Sequence, residues 1–192
     1  AGNFNFYNLV ASRGIVKLNA NGSIDSSFNT GGGVDVANPI SSIDILANGK
    51  VLLSGFFGVY SNAAHAGIVR INQNGSADET FAPRIGTVGA VSDIVTVSAS
   101  RIIIVGNFSF VNGVPREKIA RLLPGGLVDA SFDPGTGVNG EISAAFLQSD
   151  QKILIAGNFT SFNGFGRDNI ARLESNGSLD TSFDSGEMDE FG

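Results

Sequence analysis

Apolar residues along this chain come in short runs separated by clusters of Gly, Asn, Asp and Ser, and nowhere do they adopt the spacing of an amphipathic helix. The runs predict strands of four kinds. Ile40 to Leu46, Val91 to Val97 and Ile142 to Leu147 form a first, a. Val51 to Phe57, Ile102 to Phe108 and Ile153 to Phe159 form a second, b, nearly continuous in apolar residues and led by Lys50, Arg101 or Lys152. Continuous runs of this kind predict strands covered on both faces. Gly14 to Leu18, Gly67 to Ile71, Lys118 to Leu122 and Asn169 to Leu173 form a third, c, and Ile24 to Phe28 with its equivalents a fourth, d.

The order of these strands recurs. Asn21 to Phe28 returns as Asn74 to Phe81, Gly125 to Phe132 and Asn176 to Phe183, with the Phe residues spaced 53, 51 and 51 apart. Gly2-Asn3-Phe4, Gly55-Phe56-Phe57, Gly106-Asn107-Phe108 and Gly157-Asn158-Phe159 keep the same offsets, as do Lys17-Leu18, Arg70-Ile71, Arg121-Leu122 and Arg172-Leu173. Three landmark series in one register establish a repeat, and four short strands per ~51 residues is the size of one propeller blade. The predicted fold is all-β, a β-propeller-type array of four-stranded antiparallel blades. It divides into a partial blade at 1–33, comprising the end of b with c and d, then blades at 34–84, 85–135 and 136–186, and a tail or start of the next crossing at 187–192. That is about 3.7 blades, whereas closed propellers use ~4–8, so the expectation is part of a larger propeller or stacked body.

The c–d turn can be argued to the residue. A two-residue Asn21-Gly22 loop would set Leu18 opposite Asp25. A three-residue loop, Ala20-Asn21-Gly22, with Gly in the left-handed position, sets Leu18 opposite Ile24 and Lys17 opposite Asp25. The later repeats agree, giving cation–carboxylate pairs Lys17–Asp25, Arg70–Asp78, Arg121–Asp129 and Arg172–Asp180.

Composition narrows the chemistry. The 192 residues contain no Cys and a single His, which removes disulfides, thiol catalysis and multi-histidine metal sites. A net charge of −6 argues against a nucleic-acid partner. No stretch approaches the ~20 apolar residues needed to span a bilayer, so a soluble chain that is not membrane-spanning is expected. The start at Ala1-Gly2-Asn3 has neither a Met nor a signal pattern and reads as cut or processed.

Gly157-Asn-Phe-Thr-Ser-Phe-Asn-Gly164, Ile170-Ala-Arg-Leu173 and Asn176-Gly-Ser-Leu-Asp-Thr-Ser-Phe183, with Gly106-Asn107-Phe108, Ile119-Ala120-Arg121-Leu122 and Phe132-Asp133-Pro134-Gly135, resemble the delta-60 repeat, a bacterial β-propeller repeat. The likeness covers essentially the whole chain and is weaker in the first two repeats, where Phe56 replaces Asn and Phe81 is followed by Ala82-Pro83-Arg84. It implies a secreted or surface-displayed bacterial protein, combined with adhesive or anchoring modules, and no catalytic residue set or cofactor.

The repeated Phe4, Phe57, Phe108 and Phe159, with Phe28, Phe81, Phe132 and Phe183, are read as inter-blade core, and the repeated Asp residues as structural partners of the cations rather than acid/base groups. His65, in a loop, is expected to be solvent-exposed. In the d–a crossings, Asp133, Asn139 and Glu141 offer oxygens for Ca²⁺ but lack the order of a calcium loop, leaving them weak metal candidates. The sequons at Asn21, Asn74, Asn107, Asn158 and Asn176 are not read as modified; those in the c–d loops follow from turn geometry. These readings point to a non-catalytic scaffold or protein-interaction module whose partner is the rest of a larger polypeptide or assembly, binding through the d–a crossings and b–c hairpin tips. A carbohydrate- or Ca²⁺-dependent adhesin or lectin is the alternative, with a glycan as possible ligand, and a glycan-processing enzyme the weaker one.

Overall fold

A computed structural model describes residues 1–35, 39–86, 90–98 and 101–184, so the tail expected at 187–192 lies outside the described residues. No helix in it is long and apolar enough to cross a membrane. Three antiparallel sheets carry the fold, each ordered a–b–c. They comprise Ile40–Ile45, Val51–Gly55 and Ile68–Ile71; Ala90–Ser98, Arg101–Asn107 and Ile119–Leu122; and Glu141–Leu147, Ile153–Asn158 and Ile170–Leu173. Strand b is central because it is the most continuously apolar, and its partners on c are equivalent in each sheet: Val51 opposite Ile71, Ile102 opposite Leu122, Ile153 opposite Leu173.

The a–b pairing is bulged at one repeated place, between Ile40 and Ser42, Val105 and Gly106, and Ile142 and Ala144. The glycine that closes strand b follows from that approach. A Cβ at Gly55, Gly106 or Gly157 would collide with the carbonyl oxygen of Pro39, Ala90 or Glu141 on strand a. In these repeats a side chain at this Gly would push strand a off the sheet.

Strand d is shorter than the pattern predicts. It contributes one bridge per repeat, Leu18–Ile24, Ile71–Ala77, Leu122–Val128 and Leu173–Leu179, each made by two backbone bonds: the Asp amide donates to the carbonyl of the facing cation at 2.8–2.9 Å, and the amides of Asn19, Asn72, Leu123 and Glu174 donate to the carbonyls of Ser23, Ser76, Leu127 and Ser178 at 2.8 Å. The chain then turns: the amides of Phe28, Phe81, Phe132 and Phe183 bond back to the carbonyls of Asp25, Asp78, Asp129 and Asp180. The Asp side chain causes this, because its Oδ1 captures the amide and hydroxyl of the residue two places on (Ser27, Thr80, Ser131, Ser182) and so withdraws that amide from any ladder. The bridges fall in the register of the three-residue loop, with Gly22, Gly75, Gly126 and Gly177 at φ 82°, 89°, 88° and 93°.

The sheets pack face on face, and strand a of each lies beside strand a of the next. Thr96 Oγ1 donates to Asp44 across one such junction, and the Ala145 amide to Asp93 Oδ2, at 3.1 Å, across the other. Hydrophobic core lies between successive repeats. One cluster joins Ile15, Val34 and Phe28 to Leu53, Phe57, Tyr60 and Ile71; the next joins Leu52, Ile68 and Phe81 to Ile94, Ile102 and Phe108; the last joins Ile103, Val105 and Phe132 to Ile155, Phe159 and Leu173. Phe57, Phe81, Phe108, Phe132 and Phe159 are buried, while Phe4, Phe28 and Phe183 are half-buried.

Candidate functional site

Among the described residues, a charged constellation that recurs in every repeat is built around the Asp of the c–d hairpin. Its two oxygens divide the work: Oδ1 holds the turn as described, and Oδ2 holds the cations. Lys17 Nζ lies 2.8 Å from Asp25, Arg70 Nε 2.6 Å from Asp78, Arg121 Nε 2.9 Å from Asp129 and Arg172 Nε 2.7 Å from Asp180. In the last three repeats a second cation comes from the residue leading strand b: Lys50 at 2.7 Å, Arg101 at 3.5 Å and Lys152 at 2.7 Å. Each Arg guanidinium also lies over the Phe that ends its own turn, Arg70 on Phe81 at 4.7 Å, Arg121 on Phe132 at 5.1 Å and Arg172 on Phe183 at 4.7 Å.

The guanidinium has a further donor, and it reaches the neighbouring repeat. Arg70 Nη1 donates to the Pro124 carbonyl at 2.7 Å, and Arg121 Nη1 to the Ser175 carbonyl at 2.6 Å; both acceptors lie in the c–d turn of the following repeat. The Asp133 amide adds a bond to the Asn176 carbonyl in the last of these turns, at 2.8 Å, and the Asn29 amide reaches the Asn74 carbonyl in the c–d turn of the second repeat, at 2.7 Å. The cluster is thus a clamp that closes its own hairpin and grips the next one. A planar fork of donors does this and a Lys does not, which gives the Arg of the interior repeats a role beyond charge. The second cation and the Ser or Thr were missed as parts of the site from the sequence, although a Lys or Arg ahead of each strand b and an Asp-x-Ser/Thr spacing in every repeat both carry the signal.

The electrostatics follow from these contacts. Hydrogen bonds from Lys17 and Ser27 lower the Asp25 carboxyl to about 2. Burial alone would raise Asp78, but the bonds from Lys50, Thr80 and Arg70 outweigh it and hold this carboxyl far below its ordinary range. Asp129 is likewise lowered against its burial by Ser131 and Arg121, and Asp180 is lowered by Lys152 and Ser182. Carboxylates held this firmly ionised do not serve as general acids near neutrality.

The loop candidates fall elsewhere. Asp133 Oδ1 accepts the Gly135 amide of its own turn at 3.1 Å. Asn139 Oδ1 accepts the amides of Thr160 and Ser161, at 2.9 and 3.0 Å, fixing the approach to a b–c hairpin, as Asp35 does for Gly58 and Val59. Glu141 is exposed at the start of strand a. Among the described residues there is no group of three or more His, Cys, Asp or Glu placed to hold a metal ion. The Asn residues of the c–d loops, Asn21, Asn74 and Asn176, each accept from the Ser two places on through amide and hydroxyl.

His65 departs from the sequence expectation of a solvent-exposed side chain. It is half-buried, set edge-on to Tyr60 at 6.3 Å, and its Nε2 is buried with no hydrogen-bond partner; burial lowers its pKa against the opposing charge of Glu79. The cause is its neighbour: Tyr60 is fully buried because its hydroxyl reaches the Gly75 carbonyl at 2.5 Å, and the His ring follows it inward. At the b–c tips one side chain points in and another out. Tyr60, Val111 and Phe162 are buried, whereas Phe6, Leu9, Val10, Phe110, Val114 and Phe165 are exposed.

Four segments, residues 1–28, 46–81, 100–132 and 148–183, match the family described as domain of unknown function (DUF5122) beta-propeller, and each segment ends on the Phe that closes the Asp turn. No curated protein and no solved structure matches the chain. Since the matched segments span well over half of its length, the chain belongs to the DUF5122 beta-propeller family.

Proposed function

We propose that this chain is a non-catalytic scaffold or protein-interaction module of a secreted or cell-surface bacterial protein, built of delta-60-like blades whose fourth strand is the single-bridge d segment. The carrying observation is the division of labour between repeated and variable residues. The repeated charges are occupied in clamping one hairpin to the next, while the exposed apolar side chains that differ between repeats, Phe6, Leu9, Phe110 and Phe165, sit at the b–c tips. A rigid array presenting variable tips suits binding to a larger polypeptide or assembly.

The exposed aromatic rings also favour a second reading, a lectin or adhesin that stacks a glycan on Phe6, Phe110 or Phe165. Thermal melts with Ca²⁺, with chelator and with a glycan panel separate the two. The scaffold reading expects an unchanged melting temperature in every condition, and a rise with one glycan or with Ca²⁺ replaces it by the adhesin reading. Release of sugar from any member of the panel overturns both in favour of an enzyme.

A further inference from the structure

The second–third and third–fourth junctions each carry a pocket at one repeated place, between the cations of one repeat and the c–d turn of the next, and the residues lining it differ. At the second–third junction Lys50 and Arg70 share it with Phe81, Leu123 and Pro124. At the third–fourth junction it is an open cavity of about 350 Å³, and the turn facing the cations supplies Ser175 and Asn176 instead. The residues lining this cavity include two Arg and no Asp or Glu. Arg121 spends its donors on Asp129, Ser175 and Ser131. Arg101 does not. It stands half-exposed at 3.5 Å from Asp129 and, among the described residues, makes no hydrogen bond through its guanidinium, whereas Lys50 and Lys152 at the matching position reach their Asp at 2.7 Å.

Two amides stand with Arg101. Gln151 lines the cavity from the left-handed region, at φ 68°, where the second repeat has Gly49 at φ 76°. The turn alone is better served by Gly, so it does not call for this Gln. Asn176 Oδ1 is held by Ser178, and its N–H groups have no partner among the described residues. We propose that this cavity binds a carboxylate. Two guanidinium groups against the one Asp129 carboxylate leave a single positive charge, which suits a monoanion, and the unspent fork of Arg101 matches a planar carboxylate as a bidentate pair. Gln151 and Asn176 supply further donors, while Val97, Ile103 and Ile153 receive a short hydrocarbon stem. A free short-chain acid carries such a group, and so does a Glu side chain of a partner polypeptide. The site lies between repeats, apart from the b–c tips, and stands whether or not they bind anything.

The test titrates the intact, isotopically labelled chain with butyrate at low salt and follows the side-chain NMR signals of Arg101, Gln151 and Asn176. Saturable shifts are expected there and not at Asn48 and Lys50 of the matching pocket. Butyramide, the neutral analogue, should bind about tenfold more weakly, and so should butyrate to the Arg101→Gln chain, the scale of one charge-assisted hydrogen bond. Gln151→Gly should melt no lower than the parent chain yet bind butyrate more weakly, which separates loss of the site from loss of the fold. A blocked Gly-Glu-Gly peptide that binds more tightly than butyrate assigns the carboxylate to a partner's side chain, and the reverse order assigns it to a free acid; either upholds the site. No saturable binding, equal binding of butyramide, or butyrate binding unchanged by Arg101→Gln overturns the proposal. So does tighter binding of inorganic phosphate, or an equal shift at the second–third pocket.

Discussion

The Asp129 cluster and the Asp25 cluster are built on the same local sequence, yet they differ in depth. Around Asp129 the side chains are closed in: Arg121 is 8% exposed, Asp129 5% and Phe132 0%. Around Asp25 the cation is a Lys whose side chain is 49% exposed, and Phe28 is only half-buried. The hairpin register and the Oδ1 turn are identical, so the local sequence alone is enough to set them. What separates the two is the neighbour. Arg121 grips the turn at Ser175 and is covered by the next repeat, while Lys17, a single ammonium without the guanidinium fork, has no such bond to the following turn among the described residues. Burial, and with it most of the energy, is therefore a property of the junction between repeats, as in other stacked arrays.

The largest expected effect tests that directly. Phe132→Ala removes a fully buried ring and is expected to cost about 3–5 kcal/mol in chemical denaturation, whereas Phe28→Ala should cost about 1–2 kcal/mol because part of its surface is already in water. Equal losses would mean that the first repeat is packed as tightly as the third, and the contrast between them would fail.

Next in size is the cation. Arg121→Ala leaves the buried Asp129 Oδ2 with only the more distant Arg101, and it orphans the Ser175 carbonyl, so a loss of about 3 kcal/mol is expected. Lys17→Ala should change stability by no more than the scatter of the same measurement, since an exposed ion pair is weak. Arg121→Lys is the sharper variant: it keeps the charge but not the fork, and it should recover only part of the loss. Full recovery would show that charge alone closes the junction.

Much of this was legible in the sequence, and the exceptions share a cause. The repeat, the identity of strands a, b and c, and the Leu18–Ile24 register all follow from local polarity, because a hairpin is set by its own turn and cross-strand pairs. The shortening of strand d was missed because the Asp-x-Ser/Thr side-chain bonds that end it carry no hydrophobic pattern. The long reach of Arg70 to Pro124 and Arg121 to Ser175 joins residues 54 apart in sequence, which no local reading shows. His65 was misplaced for the same reason: its burial is decided by what Tyr60 does, and Tyr60 by a carbonyl fifteen residues away. One oxygen of Asp133 and the side-chain oxygen of Asn139 accept backbone amides, contacts that carry no signal in the sequence.

Acid should expose the same contrast more gently. The Asp carboxyls have folded pKa values below the ordinary 3.8, so their stabilisation is fully present above about pH 4 and is lost as pH falls through the folded values. Asp25, at about 2, should titrate before Asp78 and Asp180, which sit lower because each has a second cation. Carboxyl carbon shifts followed by NMR from pH 5 downward would show the order, and Asp78 protonating first would contradict it. His65 acts in the opposite range of chemistry but with the same sign: its neutral form is favoured in the fold, so stability falls as pH drops below the ordinary 6.5.

A small gain is expected at the tip of the first b–c hairpin, where Leu9 occupies the left-handed region at φ 65° and is 96% exposed. The same turn position holds Asn62, Gly113 and Gly164, at φ 65°, 77° and 79°, residues that tolerate this conformation. Leu9→Gly gives up almost no buried surface and removes a left-handed penalty of roughly 1–2 kcal/mol, against a chain-entropy cost of roughly 0.5–1 kcal/mol. A net gain of about 0.5–1 kcal/mol follows. Gly113→Leu should lose a similar amount, its added Cβ meeting open space, so that backbone strain alone decides the outcome. A strained, fully exposed Leu beside exposed Phe6 and Val10 contributes nothing to packing that would offset its cost. If the tips are binding surfaces, Leu9→Gly should therefore melt higher and bind its partner less well. A variant that melts lower would mean that Leu9 is already packed against something, and the exposed tip would belong to the fold rather than to a partner.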